Sequence, residues 1–376
     1  MNFNYSLKKA ALLALFPAIF FACDNKSEDP IPTPDPDPEP AIKTPVAVPD
    51  AAFESFLIRQ GIDKDDEINQ QFYLEDALEV TFLYIFGDEL DEEITDLTGI
   101  EAFKNLKDLT LWDGSIKTID LSNLTKLEDL AIANNPLEQI DLSANNQLKY
   151  VYLRNNKLEE LDLSSNPYLE ALSVSKNRLK HIDFSKNKTL ERVNLTDNQL
   201  ESITGLDDAP LLKRLTANVN QLTSLEIKAP NLVQLILWSN NLSELKLEDC
   251  AALEELDCAS GQLSTLDLSE SPALIDINIS SNALTNIDLS NNLKLTNIDL
   301  VDNQLTHINL ENNTKVESLK LNHNNLESLD VSNLLSLKHL RIYENLLLSC
   351  VQVSPNHSIE DVRKNDYQKL STTPCE

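Results

Sequence analysis

Hydrophobic residues recur along most of the chain with a fixed spacing. Between positions 148 and 158, Leu148, Val151, Leu153 and Leu158 are separated mainly by polar or aromatic residues. The same order restarts at Leu169, so the unit is 21 residues long. Twelve copies in phase begin at Leu106, Leu127, Leu148, Leu169, Leu190, Leu212, Leu232, Leu253, Leu274, Leu295, Val316 and Leu337. One step of 22 is followed by one of 20, so the register is kept.

Each unit predicts a short strand followed by a turn. Val151 and Leu153 alternate with Tyr150, Tyr152 and Arg154, which is the period of a strand with one buried face. An asparagine recurs after the strand, at Asn135, Asn156, Asn177, Asn198, Asn220, Asn240, Asn282, Asn303, Asn324 and Asn345. An inward amide can bond backbone groups that leave the sheet, so we interpret this ladder as structural.

The leucine and asparagine spacing resembles that of the leucine-rich-repeat family, over roughly residues 80–350. Within it, the chain is similar to the short bacterial repeats, including internalin-like surface proteins. The resemblance implies a strand-rich α/β solenoid, curved like a horseshoe, with a parallel β-sheet on its concave side. Single coils cannot bury their own apolar side, so neighbouring coils must stack.

The second half of each unit predicts an extended convex segment, because 21 residues leave little room for a helix. Leu161 and Leu163 alternate there, and a partial second ladder contains Asn145, Asn166, Asn187, Asn292 and Asn313. Aspartates share one convex phase at Asp120, Asp141, Asp162, Asp183, Asp267, Asp288 and Asp330. Stacked carboxylates repel, and solvent with local hydrogen bonds, or weakly bound calcium, is expected to relieve the repulsion. In either case we expect some of these carboxylates to titrate above the ordinary aspartate pKa.

The N-terminus predicts export and a membrane anchor. Residues 1–22 contain Lys8 and Lys9 followed by an apolar stretch too short to span a bilayer, which is typical of a signal peptide. Phe20-Phe21-Ala22-Cys23 resembles a bacterial lipobox, so Cys23 is the expected lipidation site; plain cleavage leaving a free thiol is the alternative. Residues 23–48 form an acidic, proline-rich tether.

Caps are predicted at both ends of the repeats, which span residues 80–348. In residues 49–79, Asp50 can cap a helix with Phe53, Phe56 and Leu57 on one face. Related proteins carry an EF-hand-like calcium loop here, but residues 63–68 are too short and lack the required glycine. Val80 and Phe82 fit the strand of an irregular first coil.

The C-terminal cap, residues 349–376, holds Cys350 and Cys375, which we expect to form a disulfide in an exported protein. Cys250 and Cys258 fall at buried phases and predict small apolar core residues rather than a second disulfide.

The net charge and the motifs of the chain limit the classes of function that it can have. The net charge of −30 disfavours nucleic acid and anionic lipid surfaces. No metal or cofactor motif is found, and no histidine is placed to pair with a serine or cysteine. We therefore predict a non-enzymatic, monomeric protein of the cell envelope, lipid-anchored in the outer membrane and surface-exposed.

The outward positions of the predicted concave sheet are mostly small or polar, with three exceptions. The first is an aromatic and arginine cluster of Trp112, Tyr150, Tyr152 and Arg154; the second is the apolar pair Ile236 and Trp238; the third is a basic end containing Lys320, Lys338, Arg341 and Tyr343. Tryptophan, tyrosine and arginine dominate binding hot spots. We expect the concave face to bind another protein, with glycan capture or a spacer role without a specific partner as alternatives.

Overall fold

The computed structural model describes residues 43–375. The predicted signal peptide, Cys23 and residues 24–42 of the predicted tether lie outside the described residues. Among the residues described, no helix combines the length and apolarity needed to cross a membrane.

The N-terminal cap consists of β1 (Pro45–Ala47), α1 (Ala51–Arg59), β2 (Gln71–Tyr73) and the single turn α2 (Leu74–Ala77). Strands β1 and β2 pair antiparallel. Asp50 caps α1 by accepting the Phe53 N–H at 3.0 Å, and the helix buries Phe53 and Leu57 completely. The cap begins before residue 49, within the segment assigned to the tether, because β1 pairs with β2 and Val48 is fully buried.

The core of the fold is one parallel sheet of 14 strands, in agreement with the predicted horseshoe. Its strands are β3 (Phe82–Phe86), β4 (Asp108–Trp112), β5 (Asp129–Ala133), β6 (Tyr150–Tyr152), β7 (Ala171–Ser173), β9 (Arg192–Asn194), β11 (Arg214–Thr216), β13 (Gln234–Ile236), β15 (Glu255–Asp257), β16 (Asp276–Asn278), β17 (Asn297–Asp299), β18 (Ser318–Lys320), β20 (His339–Arg341) and β22 (Asp361–Arg363). Residues one repeat apart pair directly, as Val151 does with Leu172. A continuous leucine-rich core fills the solenoid.

The first strand contains Phe82, as predicted, and begins after Val80. Leu83 and Ile85 point into the core, whereas Phe82 is 55% exposed and Val80 is only partly buried. Phe82 pairs with Asp108 and Leu83 with Leu109, so the outward face of β3 carries Phe82, Tyr84 and Phe86. Because successive residues of a strand point to opposite faces, Phe82 belongs to the concave face rather than to the core.

The concave asparagine ladder joins neighbouring coils. The Asn177 amide donates to the Leu153 carbonyl of the previous coil at 2.8 Å and to the Val174 carbonyl of its own coil at 3.0 Å. Its carbonyl oxygen accepts the Leu158 N–H at 3.1 Å. Each such side chain therefore satisfies backbone groups that the chain would otherwise bury unpaired.

The convex side is extended, with short parallel strands in some coils. These strands are β8 (His181–Asp183), β10 (Ser202–Thr204), β12 (Ser224–Lys228), β14 (Glu244–Glu248), β19 (Leu329–Asp330), β21 (Cys350–Gln352) and β23 (Lys369–Ser371). Short 3₁₀ helices occur at Gly87–Glu89, Ile100–Ala102 and Leu206–Asp208. In the other coils the convex asparagines connect the coils; Asn166, for example, donates to the carbonyls of Leu142 and Asn145.

In the C-terminal cap, side chains outside the repeat pattern bond the backbone of the last coil. Gln368, which is 1% exposed, donates to the Ile342 carbonyl at 3.1 Å, a backbone group comparable to those that the ladder asparagines bond. Cys350 and Cys375 form a disulfide that ties the chain end to β21. Cys250 and Cys258 are free and buried, and burial raises the pKa of both thiols.

The convex aspartates do not titrate as expected. Each accepts hydrogen bonds from the serine two residues later; the Ser164 N–H, for example, donates to Asp162 Oδ1 at 2.8 Å. These bonds lower the pKa of Asp120, Asp141, Asp162, Asp183, Asp267 and Asp288 below the ordinary aspartate value. The predicted rise in pKa was wrong, because local turn bonds outweigh repulsion between exposed carboxylates.

The N-terminal cap contains two buried carboxylates with unpaired oxygens. Glu54 is fully buried and its Oε1 accepts the N–H groups of Asn69 and Gln71, but its Oε2 has no donor among the described residues. Asp63 is 2% exposed and its Oδ2 has no donor within residues 43–375 either. Burial, with the neighbouring charges of Asp65 and Glu54, raises the pKa of Asp63 to about 6.

This loop does not fit the calcium site that the family resemblance implies. Both carboxylate oxygens of Asp65 accept bonds inside the loop, from the Glu67 N–H and the Asn69 amide. Within residues 43–375, no group of three or more acidic, histidine or cysteine side chains is arranged to hold a metal ion.

Each turn that precedes a ladder asparagine contains a residue with positive φ. The φ angle in these turns lies between 54° and 60° from Asp113 through His323, and Asn134 and Asn155 occupy such positions. Val219 adopts a φ of 57° in the same place. Asparagine and glycine tolerate this left-handed conformation, whereas a β-branched side chain is strained there by roughly 1–3 kcal/mol.

We expect Val219→Asn to stabilise the protein by about 1 kcal/mol, because it relieves this strain without changing the core. The free energy of unfolding in urea measures the effect. Val233→Asn is the matched control, since Val233 has similar partial exposure and ordinary φ. A gain of the same size at both positions would show that polarity, rather than backbone conformation, is responsible.

The raised pKa of Asp63 predicts how the stability of the N-terminal cap depends on pH. In the folded state Asp63 binds its proton with a pKa of about 6, whereas in the unfolded chain it binds the proton at the ordinary aspartate pKa of 3.8. The protonated group therefore stabilises the fold at low pH, and this stabilisation is lost as the pH rises through 6. Asp63→Asn should raise the free energy of unfolding near pH 7.5 by up to about 3 kcal/mol and reduce its gain on acidification to about pH 5.

Chemical unfolding at both pH values tests this, with the exposed Glu160→Gln as the control for net charge. An unchanged pH profile in Asp63→Asn would contradict the assignment. Below about pH 4 all variants should lose stability together, since the convex aspartates, whose pKa values are lowered in the folded state, then lose their ionised form.

Candidate binding face

The concave sheet presents three parallel rows of outward side chains. Residues in one row belong to successive strands, so they lie about 4.8 Å apart. One row contains Asp108, Asp129 and Tyr150, and a second contains Thr110, Ala131 and Tyr152. The third contains Trp112 and Ala133. This arrangement determines which of the predicted site residues are neighbours.

Trp112 lies in an aromatic group that sequence analysis did not identify completely. Its ring meets that of Phe86 edge-on, with centroids 6.3 Å apart. Phe82 and Tyr84 stack at 5.5 Å, and the Tyr84 hydroxyl donates to Asp108 Oδ2 at 2.6 Å. The alternation of Phe82, Tyr84 and Phe86 with Leu83 and Ile85 could have shown this, but the irregular first coil has no repeat phase that assigns its two faces.

Tyr150, Tyr152 and Arg154 lie together one strand beyond β5, not against Trp112. Ala131 pairs with Tyr152 and Ala133 with Trp112, so two buried alanines separate the aromatic groups. Burial raises the pKa of Tyr152, and a hydrogen bond of 2.7 Å to Glu170 raises that of Tyr150. The predicted single cluster is therefore two aromatic groups on either side of a shallow strip of small residues.

Ile236 and Trp238 extend from one strand as predicted. Ile236 is half-buried and pairs with Asp257 of the next coil, and Trp238 is 38% exposed. Exposed tryptophan on a rigid sheet is a common binding anchor. The structure thus places an apolar pair near the middle of the concave face, well separated in sequence and in coil number from Trp112.

The predicted basic end is partly neutralised. Lys320 Nζ lies 2.7 Å from Asp299 Oδ2, and Lys338 Nζ lies 2.7 Å from Glu317 Oε2. Tyr343 packs edge-on against His323 at 5.3 Å. Arg341 forms no ion pair among residues 43–375 and remains available. Sequence spacing identified the cations but not their acidic neighbours.

One histidine pairing differs from the prediction. His181 Nδ1 hydrogen-bonds Ser202 Oγ on the convex side, where β8 and β10 pair, so the expectation that no histidine meets a serine was wrong. Within the described part of the chain no acidic side chain bonds the other ring nitrogen, and His181 is exposed. A hydrolytic triad needs an acid that orients the imidazole and an oxyanion hole, so this pair alone does not form one.

The repeated coils, the parallel concave sheet and the asparagine ladders define a leucine-rich-repeat solenoid. The chain is similar to the functional domain of InlJ from Listeria monocytogenes, with 24% identity, a TM-score of 0.62, and coverage of 83% of this chain and 76% of that one. It is also similar to an internalin, inlF, from Listeria monocytogenes, with 20% identity, a TM-score of 0.65, and coverage of 90% and 100%.

A third similar structure is the ectodomain of a plant membrane receptor kinase from Arabidopsis thaliana, at 19% identity and a TM-score of 0.50, covering 77% of this chain and 45% of that one. No family model matches the chain. No curated protein matches it either. The structural similarity establishes the fold alone: a leucine-rich-repeat solenoid built like those of the internalins.

Proposed function

We propose that the protein is a non-enzymatic surface protein that binds another protein with its concave face. The observation that carries this proposal is the exposure of large aromatic side chains on a sheet that is otherwise small and polar. Phe82 is 55% exposed, and Tyr84 and Trp238 are each 38% exposed. A stiff parallel sheet orders these side chains before binding, which lowers the entropic cost of association.

The structural neighbours support a binding role for this architecture. The plant ectodomain was crystallised in complex with CASPARIAN STRIP INTEGRITY FACTOR 2, and another neighbour is the LRIM1/APL1C complex, with a TM-score of 0.57. Both are leucine-rich-repeat structures in complexes with other chains. We infer the same mode here, with the aromatic group around Trp112 and the pair Ile236 and Trp238 as anchors.

Replacing the anchors tests the proposal. Trp112→Ala and Trp238→Ala should each reduce the free energy of partner binding by about 2 kcal/mol or more, because a large apolar contact is lost. The loss should be visible as less partner captured by cross-linking on intact cells. Tyr168→Ala is the control, since Tyr168 is 52% exposed on the convex side. Equal capture by all variants would contradict a concave protein site. Binding in a glycan array, with no protein captured on cells, would indicate that the ligand is a glycan instead of a protein.

We also propose that lipid on Cys23 holds the protein at the outer membrane, on the basis of the lipobox-like Phe20-Phe21-Ala22-Cys23. Cys23→Ala should move the protein from the membrane fraction to the soluble envelope or medium, because the thioether to lipid can no longer form. Membrane fractionation of cells measures this. Ser27→Ala is the control, and unchanged membrane association of Cys23→Ala would contradict lipidation.

A further inference from the structure

Carboxylates on the concave sheet differ in how their charge is balanced. Asp108 accepts from the Tyr84 hydroxyl, Asp299 pairs with Lys320, and Asp361 lies 3.8 Å from both His339 and Arg363. Three neighbouring carboxylates, Glu255, Asp257 and Asp276, form no ion pair among residues 43–375. This part of the sheet therefore carries negative charge that the chain itself does not neutralise.

The bonds of these three side chains are all to neutral groups. The Gln234 amide donates to Glu255, and the Asn297 amide donates to Asp276 Oδ2 at 3.1 Å. Asp257 Oδ1 accepts the Ala259 N–H at 3.1 Å. Lys320 does not reach Asp276 within ion-pair distance, because its Nζ contacts Asp299 instead.

The strand register holds the three carboxylates close together. Glu255 pairs directly with Asp276 across β15 and β16, and Asp257 lies two residues from Glu255 on the same strand face. They line a shallow depression of about 300 Å³. Burial raises the pKa of Asp257 and of Asp276, with further contributions from the neighbouring carboxylates, while Lys320, which lines the same depression, acts on Asp276 in the opposite direction. Partly dehydrated charges without a counterion are unfavourable, and a cation supplied by a partner would relieve them.

An apolar surface adjoins the acidic one. Ile236 is the direct neighbour of Asp257, and Trp238 extends from the same strand. Ala259 and Ser280 follow Trp238 in the third row, and their small side chains leave room for a chain lying across the strands. The surface thus combines one apolar anchor with two or three negative charges within about two coils, or roughly 10 Å.

We propose that the concave face between β13 and β16 binds an extended, cationic segment of a partner protein, with an apolar side chain over Ile236 and Trp238 and lysine or arginine over Asp257 and Asp276. This inference rests on the proposed function and names the chemistry of the partner. Charge complementarity carries it, because none of the three carboxylates forms an ion pair among residues 43–375 and the one nearby cation, Lys320, pairs with Asp299, while the adjoining strand supplies an apolar contact. The strongly negative chain would also speed the approach of such a segment.

A synthetic probe tests the proposal without the natural partner. The probe is a fluorescein-labelled peptide, Gly-Thr-Leu-Thr-Lys-Thr-Lys-Thr-Gly, whose alternate side chains lie about 7 Å apart when extended. We expect Asp257→Asn/Asp276→Asn to weaken its binding in fluorescence anisotropy by about tenfold or more, because two charge contacts are lost. Asparagine keeps an oxygen that can accept the Ala259 N–H, so the fold should be preserved.

Glu159→Gln/Glu160→Gln is the matched control, since both side chains are exposed on the convex side and the change in net charge is the same. This pair should leave the affinity within about twofold, as expected for screened distant charges. Replacing the peptide lysines by glutamine should abolish binding. An equal loss in both double variants would show that only the overall charge acts and would overturn the proposal, as would absence of binding to the unmodified protein.

Charge reversal supplies a test with a gain of binding. Asp257→Lys/Asp276→Lys should bind the same peptide with glutamate in place of both lysines, whereas the unmodified protein should not. Failure of this exchange in a variant with normal circular dichroism would contradict direct contact at these positions. Tyr168→Ala, on the convex side, should not affect the probe. Probe binding and capture of the natural partner are measured separately, so failure of this inference can be distinguished from failure of the proposed function.

Discussion

Backbone hydrogen bonding by ladder asparagines is the constraint on which the solenoid depends. A coil of 21 residues turns sharply after its strand, and the turn leaves N–H and carbonyl groups inside the protein. Asn177 bonds three carbonyls and one N–H that belong to two different coils. Leucine in its place could fill the volume but would leave these groups unpaired, at a cost of about 1–3 kcal/mol for each.

The convex side shows what happens when such an asparagine is missing. Ala209, Ala229 and Cys250 occupy the convex ladder position in three successive coils. These coils contain β10, β12 and β14, and β12 pairs with β14 over five residues. Coils with Asn145, Asn166, Asn292 or Asn313 have no convex strand. The coil with Asn187 also contains a convex strand, β8, which pairs with β10, whereas the coils with Leu124 and Ser271 have neither the amide nor a convex strand. Main-chain pairing therefore takes over the role of the amide in the coils of Ala209, Ala229 and Cys250.

Sequence periodicity predicts what the repeat itself controls. The core leucines, the concave strands and the asparagine ladder follow from the phase alone, because each coil meets an almost identical neighbour. The face on which Phe82 lies was not predicted, because no regular coil precedes β3 to fix its register. The pKa direction of Asp162 depends on a bond to Ser164, and the availability of Lys320 depends on Asp299 one coil away. Such contacts depend on rotamers and on neighbouring side chains, which the position of a residue within the repeat does not specify.

The order of chemical groups along the sheet limits how a partner can align. The aromatic group around Trp112 comes first, Ile236 and Trp238 follow, and the acidic strands β15 and β16 lie directly beyond them. Arg341 comes after these strands, beyond the ion pair of Lys320 with Asp299. A partner displaced by one coil moves by about 4.8 Å, which is enough to take a cation off one carboxylate row. A rigid sheet cannot adjust to that displacement. The order of anchors along the solenoid therefore sets specificity in two ways: the correct partner makes matched contacts, and a wrong or displaced partner places its charges against groups that do not complement them.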